Sequence, residues 1–237
     1  MDSSAIETAS LSEQVENALK EEILAGTYLP GQRISPEDLC VKWGVSITPV
    51  RDAIKRLEAK GLLKVVPRRG VYVTTVDKRL FKNIFDLRIA LECLAVETAT
   101  RLIPDAKVEE VLNAYRLAGK RLQETGDRSF LIETDHLVHD VIIEYCDNPK
   151  LMEIMDGLTD LSLWAQATLV AHQPDSYEQA LPEHLTIMEA IRRRDVAAAR
   201  EALRAHLQNA FSRAYEHWNG DESVEEGSRS PRNRFMP

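Results

Sequence analysis

The order of elements encoded in residues 44–76, GVSITPVRDAIKRLEAKGLLKVVPRRGVYVTTV, constrains this chain more than any other feature. A polar opening leads into an amphipathic helix on which Val50, Ile54 and Leu57 share one face while Thr48, Arg51 and Lys55 share another, at spacings of three and four. The apolar face must pack, so the polar face is presented outward. Ser46 or Thr48 can cap this helix and Gly61 supplies its left-handed end. Two β runs follow, Leu62 to Val66 and Val71 to Thr75, joined by the basic turn Pro67-Arg68-Arg69-Gly70. Upstream, Ser10-x-x-Glu13 reads as a capping box opening a helix from Leu11 to Ala25, and Ser35-Pro36 opens a short one that stops at Gly44. Three helices and a hairpin filling residues 10–76 have the order of a winged helix-turn-helix: a helix able to enter a major groove, then a hairpin that reaches the neighbouring groove or backbone.

Charge supports a double-stranded DNA partner. Residues 33–70 hold nine Lys/Arg against four Asp/Glu, a local excess of five, in a chain whose net charge is −8. A basic helix face alone is ordinarily solvated surface. Followed at once by a basic hairpin turn, it points instead to a nucleic-acid reading head.

The remaining sequence is helical in period from residue 77 to 218, with helices expected over 77–102, 105–124, 127–145, 148–171, 175–194 and 195–217. Pro104, Pro149 and Pro174 fall near the breaks, and Asp195 is placed to cap the last helix. The expected fold is mostly α: an N-terminal winged helix-turn-helix followed by an all-α antiparallel bundle. Residues 1–9 and the polar tail 219–237 have little to bury and are expected to be disordered. No apolar run approaches the ~18 residues of a bilayer span, and the N-terminus lacks a signal-peptide core. Cys40, Cys93 and Cys146 are odd in number and widely separated, which implies free thiols and a cytoplasmic location rather than a thiolate zinc site.

Three of the six histidines sit where apolar residues belong. His139 shares a stripe with Leu131, Asp135, Val138 and Ile142; His184 lies with Ile187, Met188 and Ile191; His206 lies with Leu203, Leu207 and Ala210. Asp135 and His139 are one helical turn apart, a spacing that aims both at a common point. Polar groups inside a bundle need partners, and a divalent cation satisfies all four at once. The competing reading is three separately hydrogen-bonded core histidines. His136, His172 and His217 read as surface residues. Arg88, flanking the stripe Leu80, Ile84, Leu87 and Leu91, can reach inward to a carboxylate or can pair with Glu92 on the surface.

The N-terminal segment resembles the DNA-binding domain of the GntR family of bacterial regulators. The resemblance rests on Gly26-Thr27-Tyr28-Leu29-Pro30-Gly31, Leu39, Gly44-Val45-Ser46, Thr48-Pro49-Val50-Arg51, Ala53-Ile54, Leu57, Gly61-Leu62 and Arg69-Gly70-Val71-Tyr72-Val73. It implies base or backbone contacts at Ser46, Thr48, Arg51 and Gly70, with Arg68 and Arg69 on phosphates; Lys55 joins them from the outward helix face. Glu37 and Ile47 stand where the family usually has arginine, so an operator sequence does not carry over. Residues 80–215 look like the FCD effector domain of the FadR-type subgroup, on the order Asp135-x3-His139, His184, Ala190-Ile191, Asp195, Ala199 and His206, with Asp86-Leu87-Arg88-x2-Leu91-Glu92 before them. The resemblance implies a metal (Zn, Ni, Mn or Co) on Asp135, His139, His184 and His206, an effector contact at Arg88, and a homodimer bound to an inverted repeat. The resulting expectation is a repressor relieved by a small organic or sugar acid. Two other readings stand beside it: a metal hydrolase with an accessory DNA-binding head, and a regulator sensing an acyl-CoA.

Overall fold

The computed structural model describes residues 10–170 and 175–216. The chain is mostly helical, with one small sheet near its N-terminus. Helix α1 (Leu11–Leu24) opens on the expected capping box. There the Ser10 amide donates to Glu13 Oε2 at 2.7 Å and the Glu13 amide to Ser10 Oγ at 3.3 Å. Helix α2 (Pro36–Trp43) starts where Ser35 Oγ accepts from the Asp38 amide and stops at Gly44, whose φ of 65° is left-handed. Helix α3 (Ile47–Ala59) buries Val50, Ala53, Ile54 and Leu57 against α1 and α2.

Strands β2 (Leu63–Val66) and β3 (Gly70–Val73) form the hairpin, and a strand not expected from sequence, β1 (Arg33–Ile34), pairs antiparallel with the other edge of β3. Two residues are too few to show alternation, which is why β1 left no periodic signal. Its presence explains Gly70: φ there is +125°, and a Cβ would stand 2.9 Å from Arg33 Nε.

The bundle comprises α4 (Lys78–Leu102), α5 (Asp105–Thr125), α6 (Ser129–Thr134), α7 (Leu137–Glu144), α8 (Pro149–Val170), α9 (Asp175–Arg192) and α10 (Val196–Glu216). Asp195 caps α10 by accepting from the Ala198 amide at 3.0 Å. Its core is apolar and continuous, including Phe81, Val96, Leu112, Ile142, Ile187 and Leu203. The single helix expected over 127–145 is in fact two, α6 and α7, parted at Asp135-His136. The cause is a side chain inserted into the helical ladder. The Val138 amide, which a continuous helix would direct to residue 134, donates instead to the buried Tyr115 hydroxyl at 3.0 Å.

Helix α8 belongs to both halves. Trp164 is 2% exposed and packs in the core of the N-terminal unit with Leu57, Leu62 and Val73, while Met155 and Leu158 pack in the bundle core. The Trp164 indole N–H donates to the Thr74 carbonyl at 3.0 Å. No helix among the described residues is long and apolar enough to cross a membrane. The terminal segments expected to be disordered, and His172 and His217, lie outside the described residues.

Candidate functional site

Three bundle helices bring His139 (α7), His184 (α9) and His206 (α10) together, with one ring nitrogen of each lying within 4.8 Å of the others. His206 Nε2 lies 3.2 Å from His139 Nε2 and 3.3 Å from His184 Nε2. The far side of two rings is fixed by carboxylates: His139 Nδ1 is 2.5 Å from Glu92 Oε2, and His206 Nδ1 is 2.8 Å from Glu183 Oε2. Burial raises the pKa of Glu92, but the Arg88 charge and the hydrogen bonds from His139 and Arg88 outweigh it and hold the group at about 2. Burial likewise works against Glu183, where hydrogen bonds from His206, Arg213 and Asn209 win and hold it at about 2.

Two ionised carboxylates therefore assign the protons. Each draws an N–H to Nδ1, so as neutral rings His139 and His206 turn Nε2 lone pairs toward one another across 3.2 Å. Lone pairs so placed repel unless a cation lies between them. Two imidazole nitrogens bound to one ion at the usual lengths stand about 3.3 Å apart in tetrahedral geometry. His184 and His206 are both pushed below the usual histidine pKa, by burial first and then by neighbouring charge at His184, while at His206 the hydrogen bond to Glu183 opposes the shift without reversing it. Neutral rings with carboxylate-held Nδ1 atoms are the donor set a divalent metal requires.

The cluster borders a cavity of about 460 Å³, lined by His139, His206, Arg88, Glu92, Asp135 and residues of α8 among others. Asp135, at the break between α6 and α7, is half-buried on this wall, but its carboxylate is not among the atoms that cluster. Arg88 also lines the cavity, 7% exposed. Its partner is indeed Glu92, but the pair is buried rather than superficial: Nε donates to Glu92 Oε1 at 2.7 Å, Nη1 to Ser162 Oγ at 3.0 Å, and Nη2 stands 3.4 Å from His139 Nδ1.

On the N-terminal unit, Ser46, Thr48, Arg51 and Lys55 are exposed at the start and outward face of α3, and Arg68 and Arg69 are exposed at the hairpin tip beside Gly70. Ser46 holds the N-cap position of α3 without a capping hydrogen bond. Arg56, on the same helix, is turned toward α1 and pairs with Glu13 and Glu16.

The sequence matches the gntR family of bacterial regulatory proteins over residues 11–73 and the FCD domain over residues 83–209. The chain belongs to the GntR family and carries an FCD domain. It is 30% identical to the HTH-type transcriptional regulator YdhC of Bacillus subtilis, over 83% of this chain and 87% of that protein. It is 26% identical to the transcriptional repressor RspR of Escherichia coli, over 85% and 87% of the two chains. The structure of McbR from E. coli superposes with a TM-score of 0.75 at 27% identity, covering 90% of this chain and all of that one. The protein is thus a transcription regulator with a GntR DNA-binding head, and FCD domains often bind metal.

In this regulator the residues that sequence patterns did not single out are those behind the imidazoles. Glu183, Asn209 and Arg213 form a linked set, with Asn209 Nδ2 and Arg213 Nη1 each donating to Glu183 Oε1 at 2.8 Å. Glu183 precedes His184 directly and so points to the adjacent ring of α10. That adjacency was the one available signal.

Proposed function

We propose that this regulator is a dimeric, cytoplasmic repressor whose bundle binds a divalent metal (Zn, Ni, Mn or Co) on His139, His184, His206 and Asp135. In this reading a small carboxylate completes the metal's coordination from the cavity, Arg88 lies beside it, and binding releases the operator. The observation that carries the reading is the pair of Nε2 atoms facing each other at 3.2 Å with both Nδ1 atoms held by carboxylates. Asp135 joins as fourth ligand by a rotation of a side chain that is already on the cavity wall. A cavity near 460 Å³ suits a small acid rather than an acyl-CoA. Repression follows by similarity to RspR, a transcriptional repressor. The hydrolase reading gains nothing from relatives that are named as transcription regulators.

The deciding experiment is a gel shift on the gene's own upstream DNA with metal-loaded protein, with and without hydroxy acids. Ser46, Thr48, Arg51, Lys55, Arg68, Arg69 and Gly70 form the reading surface in this proposal. Arg51→Ala is expected to weaken operator binding by about 1–3 kcal/mol, and the double change Arg68→Ala, Arg69→Ala to lower the salt slope by about one to two units. Parent-like affinity and slope in both variants would remove α3 and the wing from the interface.

The dimer has its own support on α4. Leu87 and Leu94 are 52% and 55% exposed, seven residues apart, with half-buried Leu91 between them. An apolar strip at that spacing suits a second copy of the same helix, and an inverted repeat needs two heads. The double substitution Leu87→Glu, Leu94→Glu is expected to give a monomer by light scattering, with unchanged helicity and operator binding reduced at least tenfold. A dimer that survives it places the interface elsewhere.

A further inference from the structure

The cations of the N-terminal unit fall into two sets. Lys20, Lys42, Lys55, Arg56 and Lys60 each lie within ion-pair distance of a carboxylate. Arg33, Lys64, Arg68 and Arg69 are exposed and, among the described residues, pair with none. Those four belong to one surface. Tyr72 on β3 is the register partner of both Arg33 on β1 and Lys64 on β2, so the three side chains leave the same face of the sheet in one row. It is the outer face, because Ile34, Leu63, Val71 and Val73 are buried in the core on the other. The Arg33 guanidinium runs along the open side of Gly70, its Nε 2.9 Å and its Nη2 3.5 Å from where a Cβ would stand. The Tyr72 hydroxyl donates to the Arg69 carbonyl at 3.2 Å, so the row runs on into the turn that carries Arg68 and Arg69. Adjacent strands are about 4.8 Å apart, which sets Arg33 and Lys64 about 10 Å from one another across β3. No carboxylate among the described residues offsets the repulsion within this group, and a polyanion laid across the sheet would.

We propose that the outer face of the sheet is a second contact strip for duplex DNA, on which Arg33 and Lys64 each neutralise a phosphate of the backbone that the wing lies against. The footprint then extends from α3 and the wing tip across β3 to β1. This rests on the reading of α3 and the wing as the DNA-binding surface and adds two contacts which that surface does not contain. Phosphate contacts fix register and orientation and carry no base sequence. The strip therefore raises affinity for any duplex alike, which suits a head that has Glu37 and Ile47 where its family usually has arginine.

The test is fluorescence anisotropy of the full chain on two labelled duplexes, the gene's own upstream DNA and an unrelated sequence of equal length, over about 50–200 mM salt. The double change Arg33→Ala, Lys64→Ala is expected to lower the salt slope by about two units, since each lost phosphate contact is worth about 0.9, and to weaken both duplexes by the same factor. Lys42→Ala, which removes a cation already paired with Glu22, should leave the slope unchanged. An unchanged slope in the double variant overturns the strip. An equal loss in Lys42→Ala overturns it too, because the effect is then one of net charge. A loss confined to the upstream DNA overturns the phosphate assignment in favour of base reading. The Arg68→Ala, Arg69→Ala variant separates the two levels. If it keeps its own slope loss while Arg33→Ala, Lys64→Ala has none, this inference alone falls; if neither has one, the wing reading falls with it. Should the alanine pair lower the melting temperature, Arg33→Gln with Lys64→Gln, which keep the side-chain stems, take its place with the same expected loss.

Discussion

His206→Ala is expected to emerge from purification without stoichiometric metal and to bind added zinc at least about 100-fold more weakly than the parent. The ring is 4% exposed, central to the cluster, and within 3.3 Å of both other imidazoles. Removing it takes away one donor and leaves the other two without their common neighbour. Glu183→Gln should be milder, about 10- to 100-fold, because it frees the His206 tautomer without deleting the ring. Proton competition follows from the same environment. His184 and His206 titrate below the ordinary value of 6.5, so both remain neutral donors as pH falls through the usual histidine range. The unfolded chain takes up those protons near 6.5 and the folded chain does not, so chelated protein should lose stability as pH falls below 6.5. Glu92 and Glu183, held at about 2, act in the same direction over a lower window, their contribution being lost as pH falls from 4.5 toward 2. Scanning calorimetry in chelator checks this. A melting temperature that rises on acidification from pH 7 to 5, or equal zinc affinity in His206→Ala, would remove the metal centre as described.

The head was legible because each of its parts has a local cause. A capping box, a Ser-Pro helix start and a left-handed Gly44 act within a few residues of themselves, and the structure has all three where the sequence placed them. The three histidines were legible for a related reason: a polar ring on an otherwise apolar face is visible from periodicity alone. What stayed hidden depends on contacts distant in sequence. The break at Asp135-His136 is made by Tyr115, 23 residues upstream of the amide it captures, and no local pattern reports such an intrusion. Arg88 and Glu92 carry the spacing of a solvated surface pair, yet Glu92 is fully buried beneath His139. Asp160 and Lys60 likewise read as ordinary surface charges until α8 is laid against the head. Trp164 gives an apolar signal that fits any core, and the sequence does not say which one.

Trp164→Ala is expected to cost about 3–5 kcal/mol and to split one unfolding transition into two, the head melting before the bundle. The indole fills space among Leu57, Leu62 and Val73, and its loss also leaves the Thr74 carbonyl without that donor. Neighbouring contacts are tuned to the same docking. Leu161 Cδ2 comes within 3.2 Å of where a Cβ on Gly61 would stand, and Lys60 reaches both Asp156 and Asp160 across the seam. The cavity wall is built from this helix too, through Met152, Met155, Asp156, Thr159, Asp160 and Leu163. A ligand that shifts α8 by a fraction of an ångström therefore acts on the base of α3 and the end of β3 without any further intermediary. A ligand moves an equilibrium only through unequal affinity for the two arrangements, and a tenfold difference supplies about 1.4 kcal/mol. With Trp164 removed that difference loses the main packed contact of its path to the head and keeps Leu161 and the ion pairs of Asp156 and Asp160. Metal binding should then persist while effector-dependent release of DNA falls away. A single cooperative melt near the parent temperature, with effector response intact, would show that α8 is a passive wall and that the signal leaves the cavity by another helix.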